Sequence, residues 1–176
     1  EPVKAPHWVR GHESVEITAP HRSALAMLGL GNSVGTPAGG VEADVLVVRS
    51  FAELDAAGPG VRGKIVLFNV PFTTYGETVQ YRDAGPSRAA ALGAVAMLIR
   101  AVGPPGLRTP HTGALRYADG VPKIPAASIA VEDAERCNQA FTVSAAAAAA
   151  GADVSLWLTG EAAWFALPGR AEDFSL

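Results

Sequence analysis

The chain has 176 residues, of which 49% are hydrophobic and 18% charged, and its formal net charge is −3. That length holds one domain, or one domain and a fragment, and the apolar content is enough for a core, which excludes a disordered chain. The charge is spread without a Lys/Arg cluster, which excludes a nucleic-acid footprint, and the single cysteine, Cys137, excludes an internal disulfide and a cysteine-based metal site.

The opening "EPVKAPHWVRGHE" has neither a charged n-region nor an apolar h-region, so no signal peptide is expected there, and the first residue is Glu1 rather than Met. "HWVRGHESVEIT" alternates at Trp8, Val15 and Ile17 and reads as edge strands. The Gly/Pro density from Gly29 to Gly40 marks a long loop. "DVLVV" is the centre of a strand. "SFAELDAAG" reads as a short helix that Ser50 caps and Gly58 ends. "GKIVLFNV" is a buried strand by its continuous apolar run.

"PFTTYGETVQYRDAG" (71–85) fits neither period and is expected to be a surface loop, with a helix from Pro86 to Leu92. "AVAMLIR" after Gly93 is the next strand, residues 101–125 are a Pro/Gly-rich loop, and "PAASIAV" is another strand. A long alanine-filled helix follows, with Glu132 and Asp133 at its dipole-favoured start and Gly151 at its end. "ADVSLWLTG" (152–160) is a final strand before an irregular tail. The longest apolar run, 141–150, is shorter than the roughly 20 residues of a membrane span, so a soluble protein without a membrane partner is expected. Strands alternating with short helices give an α/β layered class.

Five segments carry a resemblance: "EPVKAPHWVRG" (1–11), "LGLGNSVGTPAGGV" (28–41), "VRGKIVLFN" (61–69), residues 71–100, and "TPHTGALRYADGVPKIPAASIAVEDA" (109–134). Together they resemble the protease-associated domain of zinc-dependent, M28-type, carboxypeptidase Q-like peptidases, over residues 1–134. Residues 1–20 resemble the strand that leads in from the peptidase domain. The resemblance implies a three-layer β/β/α domain. It also implies a non-catalytic accessory role, with the zinc peptidase domain and its peptide substrate as partners and a typically secreted source. It implies no cofactor for this part. Residues 135–176 resemble instead a DsrE-like, flavodoxin-type helix and strand, with "DVSLWLTGEAAWF" as the specific part. Both resemblances are truncated, which implies an engineered, recombined chain whose last helix and strand complete the same domain. An exposed final strand would then offer a route to a homodimer.

The binding candidates lie in "FTTYGETVQYRDAGPSR" (72–88): Thr74, Tyr75, Tyr81, Arg82, Ser87 and Arg88, joined by His111 from "TPHTG". Aromatic and arginine side chains on a loop are the usual anchors of a recognition surface. Two catalytic alternatives stand beside this reading. "GNSVG" (31–35) matches the G-x-S-x-G nucleophile elbow at Ser33, but "TPAGG" cannot open the helix that the elbow needs. Cys137, next to Arg136 near a helix start, is the candidate thiol of a sulfur carrier. His7, His12, His21 and His111 lack metal-ligand spacing, so no metal site is expected.

Overall fold

The computed structural model describes residues 7–19, 22–104, 108–135 and 137. Strands β1 (Val15–Ile17) and β2 (Ser23–Leu25) form an antiparallel pair. The elements that follow are β3 (Met27–Gly29), β4 (Val45–Val48), α1 (Phe51–Ala57), a 3-10 turn (Gly58–Val61), β5 (Ile65–Phe68), α2 (Tyr75–Ala91), β6 (Ala96–Arg100) and β7 (Ala126–Ile129). A five-stranded sheet runs in the order β3-β7-β6-β5-β4. Strands β4 to β7 are parallel neighbours in chain order, and β3 closes one edge antiparallel to β7, with Met27 opposite Ile129.

The period-two alternation of the strands sorts their side chains onto two faces. Val66, Phe68, Met97, Ile99 and Ala126 point to one cluster, with Leu54 of α1 and Ala89 and Ala90 of α2. Leu67, Leu98, Ala127 and Ile129 point to the other, where Val15 and Ile17 of β1 and Leu25 of β2 pack. The result is an α/β body of three layers: a hairpin, a mixed sheet and a helical layer. The central strands are apolar on both faces because both are covered. Phe68, fully buried, contributes on the order of 2 kcal/mol by apolar transfer alone.

Helix α1 forms as its caps predict. The Ser50 hydroxyl accepts the Glu53 N–H, and Gly58 ends the helix at φ 48°, a left-handed conformation that glycine adopts without strain. Residues 71–85 correct the expectation of a surface loop. Helix α2 starts at Tyr75, eleven residues before Pro86. Thr74 caps it by accepting the Glu77 N–H, while the Glu77 carboxylate accepts from the Thr73 and Thr74 hydroxyls. The Thr-x-x-Glu spacing is that of a capping box, with the carboxylate held by the two threonine hydroxyls. Pro86 stands inside the helix, fully buried, so packing against the sheet outweighs the backbone bond it cannot make.

The stretch 23–29 corrects the sequence reading too, since it holds β2 and β3, two strands of three residues each that no expectation covered. The alanine-rich helix and the strand 152–160 lie outside the described residues, apart from the helical start at 131–135 and 137. No helix among the described residues is long and apolar enough to cross a membrane.

Candidate functional site

The N-terminal end of α2 and the loop at 111–118 meet in one corner. The loop is stitched down from both sides. Gly31 N–H donates to the Gly113 carbonyl at 2.9 Å and Leu115 N–H to the Gly31 carbonyl at 3.0 Å. Arg116 N–H donates to the Asp83 carbonyl of α2 at 3.3 Å, and Ala118 N–H to the Ser87 hydroxyl at 2.8 Å. Further along, Tyr117 donates its hydroxyl to the Ile124 carbonyl at 2.6 Å and accepts the Val34 N–H at 3.1 Å. Asn32 takes φ 69° as the chain leaves β3. A small polar side chain tolerates that left-handed turn better than other L-residues do.

Arg82 lies two turns along α2 from Tyr75, and side chains on a helix lean toward its N-terminus. Its guanidinium therefore reaches back under Tyr75, donating Nη2–H to the phenol oxygen at 2.9 Å and sitting 5.6 Å from the ring centre. Arg82 is 8% exposed, whereas Tyr75 is 51% exposed. On the other side stands Gly113, where a Cβ would fall 2.5 Å from Arg82 Cζ. His111 is exposed and meets Tyr75 edge-to-face, with ring centres 6.4 Å apart. Among the described residues, Arg82 Nε and Nη1 have no acceptor.

The structure thus gathers Tyr75, Arg82 and His111 and disperses the other candidates. Thr74 is the helix cap, with both its hydroxyl contacts made to Glu77. Tyr81 stacks between Phe51 and Phe68, 4.5 and 5.6 Å away, at the edge of the core. Ser87 is buried and pins Ala118. Arg88 pairs with Asp55 at 2.8 Å and lies 4.1 Å over Phe51, tying α2 to α1. Arg82, expected on a loop, belongs to a helix and is buried.

Ser33 follows β3, but no helix follows it, and its hydroxyl accepts the Ala126 N–H at 2.8 Å while donating to the Val34 carbonyl at 2.9 Å. Its proton faces no base. Cys137 is buried beside Ala134 and Leu98 in the outer cluster of the sheet. His7 and His12 are exposed, and His21 lies outside the described residues. No three His, Cys, Asp or Glu side chains stand close enough to hold a metal among the described residues.

Two carboxylates that sequence reasoning did not single out as contacts act as backbone clamps. Glu13 accepts the Gly29 N–H at 3.0 Å and pairs with Arg10, whose Nη1–H also reaches the Gly29 carbonyl at 2.8 Å. Asp133, fully buried, accepts the Ala26 N–H at 2.7 Å and pairs with Arg108. Asp133 was expected to serve only the helix dipole. No local pattern reveals these contacts, since their partners are 16 and 107 residues away.

No family model matches the chain. Over 139 residues it is 56% identical to carboxypeptidase Q of Xenopus laevis, a match covering 79% of this chain and 30% of that protein. A peptidase M28 precursor from Shewanella amazonensis superposes with a TM-score of 0.77 at 34% identity, covering 82% of this chain and 34% of the other. An aminopeptidase from Aneurinibacillus sp. strain AM-1 superposes with a TM-score of 0.52 at 19% identity, a likeness of fold alone, over 76% of this chain and 28% of the other. The chain therefore spans about a third or less of the length of these proteins and is homologous to a segment of M28 peptidases.

Proposed function

We propose that this chain, homologous to a segment of carboxypeptidase Q, is a non-catalytic accessory module of protease-associated type. It would pack beside the metal-dependent part of an M28-type peptidase and shape the entry of peptide substrates. The observation that carries this reading is the extent of the match, 79% of this chain onto 30% of the relative. Two features of the site support it. The Ser33 hydroxyl is engaged at both ends by backbone groups, and the Tyr75–Arg82–His111 corner has the composition of a recognition surface. The protein partners are then the peptidase body and its peptide substrate.

The test is hydrolysis of a dipeptide and of a pentapeptide by an M28 peptidase with and without this segment, alongside the isolated chain. The expected result is no turnover by the isolated chain. Removal of the segment from the peptidase should change KM for the pentapeptide more than for the dipeptide. Turnover by the isolated chain that disappears in Ser33→Ala or on chelation would overturn the reading.

A further inference from the structure

We infer that Asp119–Gly120 is a site of spontaneous isoaspartate formation, and that conversion there unfastens the loop at 111–118. In this reaction the Gly120 backbone nitrogen attacks Asp119 Cγ. An N–Cγ bond forms, the Cγ–OH bond breaks, the nitrogen gives up its proton and one water leaves. Water then opens the resulting succinimide at either carbonyl. Opening at the Cα carbonyl leaves the main chain running through Cβ and Cγ, which is isoaspartate. The net composition is unchanged, so no co-reactant is needed. Three things restrain the attack in a folded chain. One is a hydrogen bond on the attacking N–H. Another is a side chain on the attacking residue, which crowds its approach. The third is a helix or strand, whose φ and ψ are fixed.

Among the described Asp and Asn residues, Asp119 alone escapes all three. Asp55 and Asp83 lie inside α1 and α2, and Asp133 lies in the helical start after β7 with its carboxylate bonded to Ala26. Asp44 leads into β4, its carbonyl accepts the Ile65 N–H, and the β-branched Val45 follows it. Asn69 is 3% exposed, accepts from Arg100 through Oδ1, and also precedes a valine. Asn32 is the nearest rival, since the small Ser33 follows it. There the attacking N–H is tied to the Leu30 carbonyl at 3.0 Å, and the Asn32 amide donates to the Leu115 carbonyl at 3.2 Å. Asp119 and Gly120, by contrast, are exposed in a turn, and the Gly120 N–H donates to no group among the described residues. Gly120 stands at φ 76°, with nothing within 4 Å of where a Cβ would be. The stitches of the loop adjoin this turn. Ala118 N–H donates to the Ser87 hydroxyl at 2.8 Å, and Tyr117 reaches across to the Ile124 carbonyl and takes the Val34 N–H. Isoaspartate puts one more carbon into the short stretch of main chain that these contacts close, so they lose their register. The inference stands independently of the accessory reading.

The experiment ages the whole 176-residue chain for weeks at body temperature and neutral pH. Trypsin then releases residues 117–123, in which Asp119 is the only Asp or Asn. The same digest releases 23–49 with Asn32 and Asp44, and 124–136 with Asp133. Isoaspartate in each peptide is measured by isoaspartyl methyltransferase labelling and by electron-transfer fragmentation. It should accumulate in 117–123 at least about fivefold faster than in either of the others. A synthetic peptide of residues 117–123 should convert within about threefold of the rate in the native chain, because the fold leaves this turn unrestrained. Asp119→Glu, whose side chain would have to close a six-membered ring, should leave the site unconverted. In the aged chain the Ala118 and Val34 amides should exchange with deuterium faster than in the fresh chain, and in aged Asp119→Glu they should not. A smaller lead of 117–123 over the other peptides, or a native rate further below that of the synthetic peptide, would overturn the site. Isoaspartate at Asp119 with unchanged exchange at Ala118 and Val34 would overturn the unfastening of the loop.

Discussion

At Ser33 the hydroxyl is used at both ends, accepting from Ala126 and donating to Val34, which joins the turn after β3 to the start of β7. Ser33→Ala leaves the Ala126 N–H without an acceptor, so a loss of about 1–2 kcal/mol in urea unfolding is expected. The same experiment on Asp133→Ala should give a larger loss, about 2–3 kcal/mol, because a fully buried, charged acceptor is removed from the Ala26 N–H. Glu77 carries the pH signature. Hydrogen bonds from the Thr73 hydroxyl and then the Thr74 hydroxyl hold its carboxyl below the ordinary value of 4.5. A depressed folded-state pKa favours the native state above the unfolded value near 4.5, and that contribution fades as pH falls through the lower folded value. An NMR titration of the Glu77 carboxyl should therefore give a midpoint below 4.5, and Thr73→Ala should move it upward.

At the scale of the element, α2 shows how far a sequence can be read and where the reading stops. Its C-terminal part was legible from Pro86 onward, and so were α1 with both its caps and the apolar strands β4 to β7. The first eleven residues of α2 were hidden by Tyr, Gly and Thr, whose weak propensity says loop, and by Pro86, which reads as a start. The one local signal was Thr74-x-x-Glu77; the buried face that decides the matter is tertiary. Of the site, the residue types were legible but not their grouping. Tyr75 and Arg82 meet only because the stretch is helical, and Gly113 enters only because the 111–118 loop is sewn to Gly31. Gly85 tests that packing. Alanine in mid-helix gains up to about 1 kcal/mol, whereas a Cβ here would lie 3.0 Å from the ring of Phe68 and 3.4 Å from Met97 Cε. Phe68 is fully buried and has nowhere to go, so overpacking of about 1–3 kcal/mol prevails, and Gly85→Ala should lower the thermal unfolding midpoint.

At the scale of the whole molecule, two clusters on opposite faces of one sheet make the hairpin and the helices interdependent through the strands they share. The antiparallel edge pair has a wider consequence. With Met27 opposite Ile129, the polypeptide enters the sheet on one strand and leaves it on the next, about 5 Å away. A sheet entered and left at such closely spaced points adds little separation to the chain that runs through it, and so costs a longer polypeptide little chain entropy. Genes that carry such a sheet inside a larger reading frame need no long connectors on its account.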